Sequence, residues 1–239
     1  MMGKTARVHE QPPVRLEPRL QAVADFIRSH THLDIGSDHA LLPKYLLQTQ
    51  RIKKAVVIEK HRQPFENAKT ALQGFNADVR LGDGLNAFQK GEAESLSISG
   101  MGAEKIARIL QAHPERLPAK LTLQPNDNAR TLRVWARNAG FHLQAETMAK
   151  GFWRYSILSF EKRLGDDPAY IHVNLETALT YGPHLLKSKH PLLKEELEYQ
   201  RPYLQGLGKH GAKQLKILEE ALNVYKNIVA RMSRENPLP

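Results

Sequence analysis

A strand-like segment, a tight turn and a helix-forming segment follow one another within residues 31–48. Thr31–Ile35 has the apolar character of a buried strand. Gly36 and Ser37 supply the turn, and residues 40–48 have the composition of a helix. Such a unit opens a doubly wound α/β domain, in which ligands bind at the carboxyl ends of the strands. The turn after this strand is therefore the first place to look for a binding site.

The same alternation of strand-like and helix-like segments continues to about residue 165. Repeated strand–helix units predict a parallel sheet. The predicted strands are 54–59, 77–81, 95–99, 120–123, 142–148 and 153–161, and the predicted helices are 16–29, 64–73, 103–111 and 129–138. A turn at Lys150-Gly151 joins the last two strands, so we expect one antiparallel strand in the sheet.

The C-terminal part of the chain has a different texture. Two heptad-like apolar stripes, separated by a glycine-containing loop, predict an antiparallel helical hairpin of the coiled-coil type. The stripes are Leu193, Leu197, Leu204 and Leu207, and Leu215, Leu218, Leu222, Tyr225, Val229 and Met232. We therefore divide the chain into a flexible leader (1–14), a ligand-binding α/β domain (15–165) and a helical hairpin domain (166–239).

Charge and composition limit the possible partners. The chain of 239 residues carries a formal net charge of +10 and has no cysteine, which excludes disulfides and thiolate chemistry. No apolar run is long enough to span a membrane, and the N-terminus lacks the apolar core of a signal peptide. A basic surface favours a polyanion, most commonly nucleic acid. We expect a cytoplasmic protein, a monomer or weak dimer, that does not bind membranes.

Acidic residues and glycines follow several predicted strands at one edge of the sheet. Asp34 and Gly36 follow the first strand, Glu59 the second and Asp83 the third, and residues 100–102 follow the fourth. Singly, an acid in such a place is explained by helix capping and a glycine by a turn. Together they converge on one crevice, which favours a binding site.

The turn lacks the features of a phosphate-binding loop. A Gly-x-Gly-x-x-Gly fingerprint is absent after the first strand, and Asp38 would repel a pyrophosphate. The turn instead resembles the first loop of S-adenosylmethionine (SAM)-dependent methyltransferases, acidic-x-Gly-x-Gly-x-Gly, with Asp38 and Ala40 at the second and third glycine positions. SAM has a positive sulfonium and no phosphate, so an acidic loop suits it.

Three histidines lie near this turn. We expect His30 and His32 in the strand, and His39 either capping the following helix or facing the crevice. They do not form a coherent set of metal ligands, so no metal site is expected.

Five motifs in order make the resemblance specific. They are Asp-Ile-Gly-Ser-Asp-His-Ala-Leu-Leu-Pro (34–43), Gly-Asp-Gly-Leu (82–85), Gly-Met-Gly (100–102), Leu-Gln-Pro-Asn (123–126) and Tyr-Gly-Pro-His-Leu-Leu (181–186). Over about residues 15–232 the chain resembles the bacterial tRNA (adenine(22)-N(1))-methyltransferase family. It departs from the family pattern near Leu42, where a Tyr is usual, and at Ala103, where a second Gly is usual.

The resemblance implies a Rossmann-like class I SAM-dependent methyltransferase domain followed by a helical hairpin. It implies transfer of a methyl group from SAM to N1 of an adenine in the D-arm region of tRNA. We expect cofactor contacts from Asp34, Gly36, Ser37, Glu59, Lys60, Asp83, Gly84, Gly100 and Met101, with Glu59 on the ribose and Asp83 near the adenine. We expect substrate contacts from His39, Gly102 and Asn126, with the Gly-Met-Gly segment leaving room for the target base.

Methylation at N1 requires no strong general base, because the ring nitrogen attacks with its own lone pair. Positioning and electrostatics should therefore dominate, and the base must be unpaired or flipped to expose N1. Asp38 is the expected catalytic residue, accepting a hydrogen bond from the exocyclic amine and stabilising the cationic product.

Several alternatives stay open at the level of sequence. Asp38 alternatively caps the next helix, and Met101 alternatively only packs in the core. The hairpin either contacts tRNA phosphates or packs against the α/β domain or a second subunit. The chain alternatively methylates another RNA or a small molecule, or it is a non-catalytic RNA-binding protein with a Rossmann-like core.

Overall fold

Seven strands form one sheet in the computed structural model, which describes residues 14–226. They are β1 (Thr31–Ile35), β2 (Lys54–Glu59), β3 (Ala77–Leu81), β4 (Ser95–Met101), β5 (Lys120–Pro125), β6 (Phe141–Lys150) and β7 (Arg154–Lys162). Their order across the sheet is β3-β2-β1-β4-β5-β7-β6. Among these strands β7 runs antiparallel to its neighbours β5 and β6, so the sequence-based expectation of one antiparallel strand is correct.

Helices cover both faces of this sheet. They are α1 (Pro18–Asp25), α2 (Leu41–Gln48), α3 (Arg62–Ala71), α4 (Ala103–Ala112), α5 (Ala129–Asn138), α6 (Leu175–Tyr181), α7 (Pro183–Lys187), α8 (Pro191–Gly206) and α9 (Ala212–Lys226). Alternate residues of a strand point to opposite faces. In β2, Val56 and Ile58 join a core with α4 and α5, whereas Ala55 and Val57 join a core with α1, α2 and α3.

Two elements differ from the sequence-based boundaries in a way that shapes the site. α1 covers only residues 18–25 of the predicted helix 16–29, because Pro18 starts it and the N–H groups of Phe26 and Ile27 bond back only three residues. β4 continues beyond residue 99 to Met101, because a bulge at Gly100, which has φ +75°, restores pairing between Met101 and Pro125.

A buried ion pair attaches the C-terminal helices to the sheet. Arg133 of α5 donates from Nε to Glu146 Oε1 of β6 at 2.6 Å, and both side chains are almost fully buried. Glu146 Oε2 also accepts from the N–H of His184 at 3.2 Å, at the start of α7. Gly182 packs directly on this pair with φ +93°. The Tyr-Gly-Pro-His motif is therefore a structural joint.

Helices α8 and α9 lie where the sequence predicts the hairpin, and they pack against each other. Leu193, Leu197, Leu218 and Leu222 are buried between them and the rest of the protein. Leu207, which the sequence places in the first stripe, is exposed because α8 has ended one residue earlier.

Two predicted segments lie at the ends of the chain, the leader and the end of the second apolar stripe. The stripe positions Val229 and Met232 lie outside the described residues, as do residues 1–13 of the predicted leader. Val14, the last residue of that leader, donates its N–H to Gln48 Oε1 at 3.0 Å and packs against the core beside α2.

The close packing of Gly182 on the buried ion pair predicts that a larger residue at this position lowers the stability of the protein. A Cβ at this position would lie 2.6 Å from Glu146 Oε2 and 2.8 Å from Arg133 Nη2. Gly182→Ala should therefore combine backbone strain with displacement of a buried ion pair, and it should lower the free energy of unfolding by about 3 kcal/mol. Urea unfolding measures the change.

Gly165→Ala is the matched control for this substitution. Gly165 also has a positive φ, of +83°, but a Cβ there would meet nothing within 4 Å. It should lose only the strain component, about 1 kcal/mol. Equal losses for the two variants would show that the ion pair does not depend on Gly182.

Candidate cofactor and substrate site

The carboxyl ends of the central strands bring the predicted site residues to one edge of the sheet. β1 pairs in parallel with β2 on one side and with β4 on the other, and Ile35 lies opposite Ile58 and Ile98. The strand order changes direction here, which is where open α/β sheets bind ligands. The predicted residues at this edge are Asp34, Gly36, Ser37, Glu59, Asp83, Gly100 and Met101.

Glu59 holds the turn that follows β1. The backbone N–H of Asp38 donates to Glu59 Oε1 at 2.6 Å, and the N–H of Gly36 donates to the carbonyl of Ile58 at 2.9 Å. Burial raises the pKa of Glu59; the bond from the Asp38 N–H opposes this change, and the neighbouring Asp34 adds to it. The acid at the end of β2 therefore positions the predicted cofactor loop.

Gly36 and Met101 bring the turns after β1 and β4 into contact. Gly36 has φ +75°, and a Cβ built on it would lie 2.2 Å from Met101 Cε. No larger residue fits without moving Met101, and the positive φ independently favours glycine. Met101 is partly buried and packs against the apolar core. The expectation that Met101 packs against the core is therefore confirmed, and the same side chain fixes the turn that holds Gly36.

Asp34 belongs to a chain of buried polar side chains between β1 and β4. Ser97 Oγ donates to Asp34 Oδ1 at 2.5 Å. His32 contacts Ser97 Oγ through Nε2 at 2.8 Å and Ser95 Oγ through Nδ1 at 2.7 Å. Burial raises the pKa of Asp34 and lowers that of His32 to about 3, so His32 is neutral. With Asp34 ionised, the imidazole proton lies on Nε2.

The sequence analysis did not predict this series of hydrogen bonds, because it assigned His32 only to a strand. The relevant signal is the register, since His32 pairs with Ser95 and Asp34 pairs with Ser97. These partners are distant along the chain, so the sequence does not reveal the pairing. His30 lies before β1 rather than in it and is exposed.

A cleft of about 410 Å³ lies at the end of β3. Lys60 Nζ is 2.8 Å from Asp83 Oδ2, and both side chains are more than half exposed, so this salt bridge contributes little stability. Gly84 is buried with φ +54°, and a Cβ there would press on Ile109 at 3.1 Å. The residues that line the cleft include Lys60, His61, Asp83, Gly84, Lys105 and Arg108.

Asp38 and His39 lie at the surface of the turn after β1. Asp38 Oδ2 is 3.6 Å from His39 Nε2, and their side chains are 66% and 67% exposed. The N-cap position of α2 falls on Ala40, which has no side-chain acceptor. The alternative expectation that Asp38 or His39 caps this helix is therefore wrong, because neither occupies the position from which a side chain reaches the first free N–H groups.

Asn126 connects the ends of β4 and β5. Its Nδ2 donates to the carbonyl of Gly100 at 2.8 Å, and its backbone N–H donates to the carbonyl of Met101 at 2.8 Å. Gln124 Oε1 accepts from the N–H of Gly100 at 3.0 Å and from Arg19 Nη1 at 2.5 Å. Asn126 thus holds the Gly-Met-Gly segment. Gln124, which the sequence analysis quotes in a motif without a role, and Arg19, which it does not mention, are supporting residues.

Gly102 is the N-cap residue of α4. Asp127 Oδ1 accepts from the N–H of Ala103 at 2.7 Å, and a Cβ on Gly102 would lie 3.1 Å from Asp127 Oδ2. Gly102 therefore leaves room for a carboxylate from the next loop. Asp127 is a further residue that the sequence motifs did not single out.

Residues 14–226 contain no group of three or more His, Cys, Asp or Glu side chains that could hold a metal ion. None of the helices described there is long and apolar enough to cross a membrane.

The sequence profile that describes tRNA (adenine(22)-N(1))-methyltransferase matches residues 32–235. The chain belongs to this family. The Bacillus subtilis (strain 168) protein named tRNA (adenine(22)-N(1))-methyltransferase is 35% identical over 203 residues, in a match that covers 81% of this chain and 84% of that protein.

Solved structures of the family superimpose on the chain. The crystal structure of the B. subtilis m1A22 tRNA methyltransferase matches with a TM-score of 0.77 and 31% sequence identity. The match covers 90% of this chain and 99% of the B. subtilis chain. The structure of a Streptococcus pneumoniae relative in complex with S-adenosyl-L-methionine matches with a TM-score of 0.77 and 27% sequence identity. The match covers 88% of this chain and 99% of the S. pneumoniae chain. The Rossmann-like fold is thus that of the methyltransferase family.

The buried, neutral side chain of His32 predicts that the protein loses stability in acid. The pKa of His32 is lowered in the folded state from 6.5 to about 3. Below pH 6.5 the unfolded state therefore binds a proton that the native state does not, so the stabilisation present above pH 6.5 is lost as the pH falls. Between pH 6.5 and 5 this loss is about 2 kcal/mol. Urea unfolding of the wild type and of His32→Gln, compared at both pH values, measures it.

The Gln side chain cannot take up the proton, so the variant should show a smaller decline with pH. Parallel declines in the two proteins would mean that His32 is already protonated in the native state or does not titrate on unfolding.

Proposed function

We propose that this protein transfers the methyl group of SAM to N1 of an adenine in the D-arm region of tRNA, the position named in its family. One observation carries the proposal: in a chain of this family, Gly36, Glu59 and Met101 meet at the strand ends, at the switch point of the sheet. Mass spectrometry of the nucleosides of purified tRNA, after incubation with SAM, tests it. N1-methyladenosine should form; methylation of another nucleotide, or none, contradicts the proposal.

The residues at the strand ends fit SAM. Gly36 lets the methyl group of Met101 pack directly on the turn after β1, and the absence of a phosphate-binding loop suits a cofactor without phosphate. The adenosine end would lie against Glu59 and the cleft beside Lys60 and Asp83, with Gly84 allowing close approach. Asp34 and Ser37 would border the methionine end, where negative charge favours the sulfonium.

The bound cofactor supplies an electrophilic methyl group; the N1 lone pair forms the new C–N bond as the C–S bond breaks and its electron pair stays on sulfur. Asp38 would accept a hydrogen bond from the exocyclic amine and stabilise the positive charge that develops on the adenine. Because Asp38 is exposed in the protein alone, its effect depends on tRNA covering it and lowering the local dielectric constant. His39, Gly102 and Asn126 border the space where the target base would lie.

The tRNA partner is consistent with the basic net charge of the chain. We place the activity in the cytoplasm because its substrate is tRNA, and we propose that the protein acts as a monomer or weak dimer.

Glu59→Ala should weaken SAM binding by about tenfold or more. The substitution removes a charged acceptor for the ribose and also releases the N–H of Asp38. Calorimetric titration with SAM measures the dissociation constant. Glu66→Ala is the matched control, since Glu66 forms an exposed ion pair with Arg62 on α3 and should bind SAM normally. Unchanged affinity in Glu59→Ala would remove Glu59 from the cofactor site.

Asp38→Asn should lower the single-turnover rate of methylation by about a hundredfold, the scale of losing one preorganised electrostatic group. Asn is the informative replacement because Asp38 has φ +54°, a conformation that Asn adopts at lower cost than Ala. SAM affinity and melting temperature should therefore stay close to wild type. An Asp38→Asn enzyme with normal turnover would show that the charge of Asp38 plays no part in the reaction.

A further inference from the structure

We propose that the tip of the β6–β7 hairpin, residues 150–154, is a stacking platform that holds an unpaired base of the tRNA beside the target adenine. The inference rests on the proposed function and identifies a surface that recognises the RNA substrate.

The tip exposes two aromatic side chains side by side. Phe152 is 87% exposed and Trp153 is 62% exposed. Their ring centroids are 5.2 Å apart and the rings are perpendicular. The turn that presents them is closed by the N–H of Gly151, which donates to the carbonyl of Trp153 at 2.8 Å. Contiguous exposed apolar groups of this kind mark interaction sites, whereas single scattered ones do not.

The sheet topology places this tip at the edge that carries the site. β6 runs in the same direction as β1, β4 and β5, because β7 is antiparallel to both β5 and β6. The carboxyl end of β6 therefore lies at the same edge as the carboxyl ends of β1 and β4. The Phe-Trp pair follows β6 directly, as Asp38 follows β1 and Gly102 follows β4.

Arg19 connects the base of the hairpin to the site. Its guanidinium carbon is 5.6 Å from the centre of the Tyr155 ring, and its Nη1 donates to Gln124 Oε1. Gln124 Oε1 also accepts from the N–H of Gly100. The start of β7 and the Gly-Met-Gly segment thus share one set of contacts, so the platform is attached to the substrate side of the crevice.

A second set of contacts holds the tip against α8. Arg154 donates to Glu196 at 3.1 Å and to Glu195 at 3.2 Å, and it lies 6.0 Å from the centre of the Tyr199 ring. The hairpin tip is therefore held between the sheet edge and the C-terminal helices.

The chemistry of the tip fits a base of a polyanion. Phe152 and Trp153 follow the exposed Lys150 in a chain with a net charge of +10, whereas Arg154 is paired with Glu195 and Glu196. Exposed aromatic side chains bind unpaired bases by stacking on their faces, while a nearby cation such as Lys150 meets a phosphate. Methylation at N1 requires the target adenine to leave its stack. A neighbouring base then loses a stacking partner, which an exposed indole replaces.

Substitution of the two rings tests the platform. Trp153→Leu and Phe152→Leu should each raise the KM for tRNA by about tenfold, the effect of losing one base–aromatic stack. SAM affinity, measured by calorimetry, should not change. Trp153→Phe keeps an aromatic face and should recover most of the tRNA affinity. Leu164→Ser is the matched control: Leu164 is fully exposed just beyond β7, at the opposite edge of the sheet, and the variant should behave as wild type.

Intrinsic fluorescence gives an independent measurement. The chain has two tryptophans, and Trp135 is buried against Phe141. Saturating tRNA should quench the emission of Trp153 and protect it from acrylamide, and both effects should vanish in Trp153→Leu.

The outcomes separate this inference from the proposed function. A wild-type protein that methylates no tRNA overturns the proposed function. A wild type that methylates tRNA, with Trp153→Leu and Phe152→Leu within twofold of its KM, overturns the platform alone. If those variants instead shift a dimer to monomers in sedimentation while tRNA kinetics stay unchanged, the aromatic pair is an interface between two copies and the inference is wrong.

Discussion

The parallel pairing of β1 with both β2 and β4 is the constraint on which the site depends. It brings the ends of three strands to one edge and leaves the turn after β1 between two neighbouring loops. Each neighbour then holds that turn. Glu59 at the end of β2 accepts the N–H of Asp38, and Met101 at the end of β4 packs against Gly36. The turn is therefore shaped before any ligand binds, which lowers the entropy cost of binding.

Acidic side chains around this turn differ sharply in their surroundings. Asp34 and Glu59 are buried and hydrogen-bonded, and burial raises the pKa of each. Asp38 is exposed and has its side chain directed away from the core. Glu59 holds the loop through the N–H of Asp38, and Asp34 accepts a hydrogen bond from Ser97. Of these three acids Asp38 alone has an exposed side chain, which fits the proposal that it meets the incoming base.

Contacts between the sheet and the C-terminal helices fix the position of those helices. The Arg133–Glu146 pair and Gly182 hold the start of α7, and Arg154 holds α8 against the start of β7. A buried ion pair is costly to break, although it contributes little when compared with apolar packing. Its effect here is to specify how the helices dock. The C-terminal helices and the sheet are thereby kept in one arrangement.

The sequence by itself determined the elements and the candidate site residues of the α/β domain. Alternating apolar segments predicted the strands, and the acids and glycines after them predicted the edge that carries the site, because both signals are local. Tertiary structure decided which of those residues touch. Hydrogen bonds link His32 and Asp34 to Ser95 and Ser97, which are distant in sequence. The contact of Gly36 with Met101 and the support of Gly100 by Arg19 also join distant segments. Exposure was decided the same way: Trp153 falls at the start of the predicted strand 153–161, and only the tertiary structure shows that the rings of Phe152 and Trp153 are both exposed beyond the carboxyl end of β6.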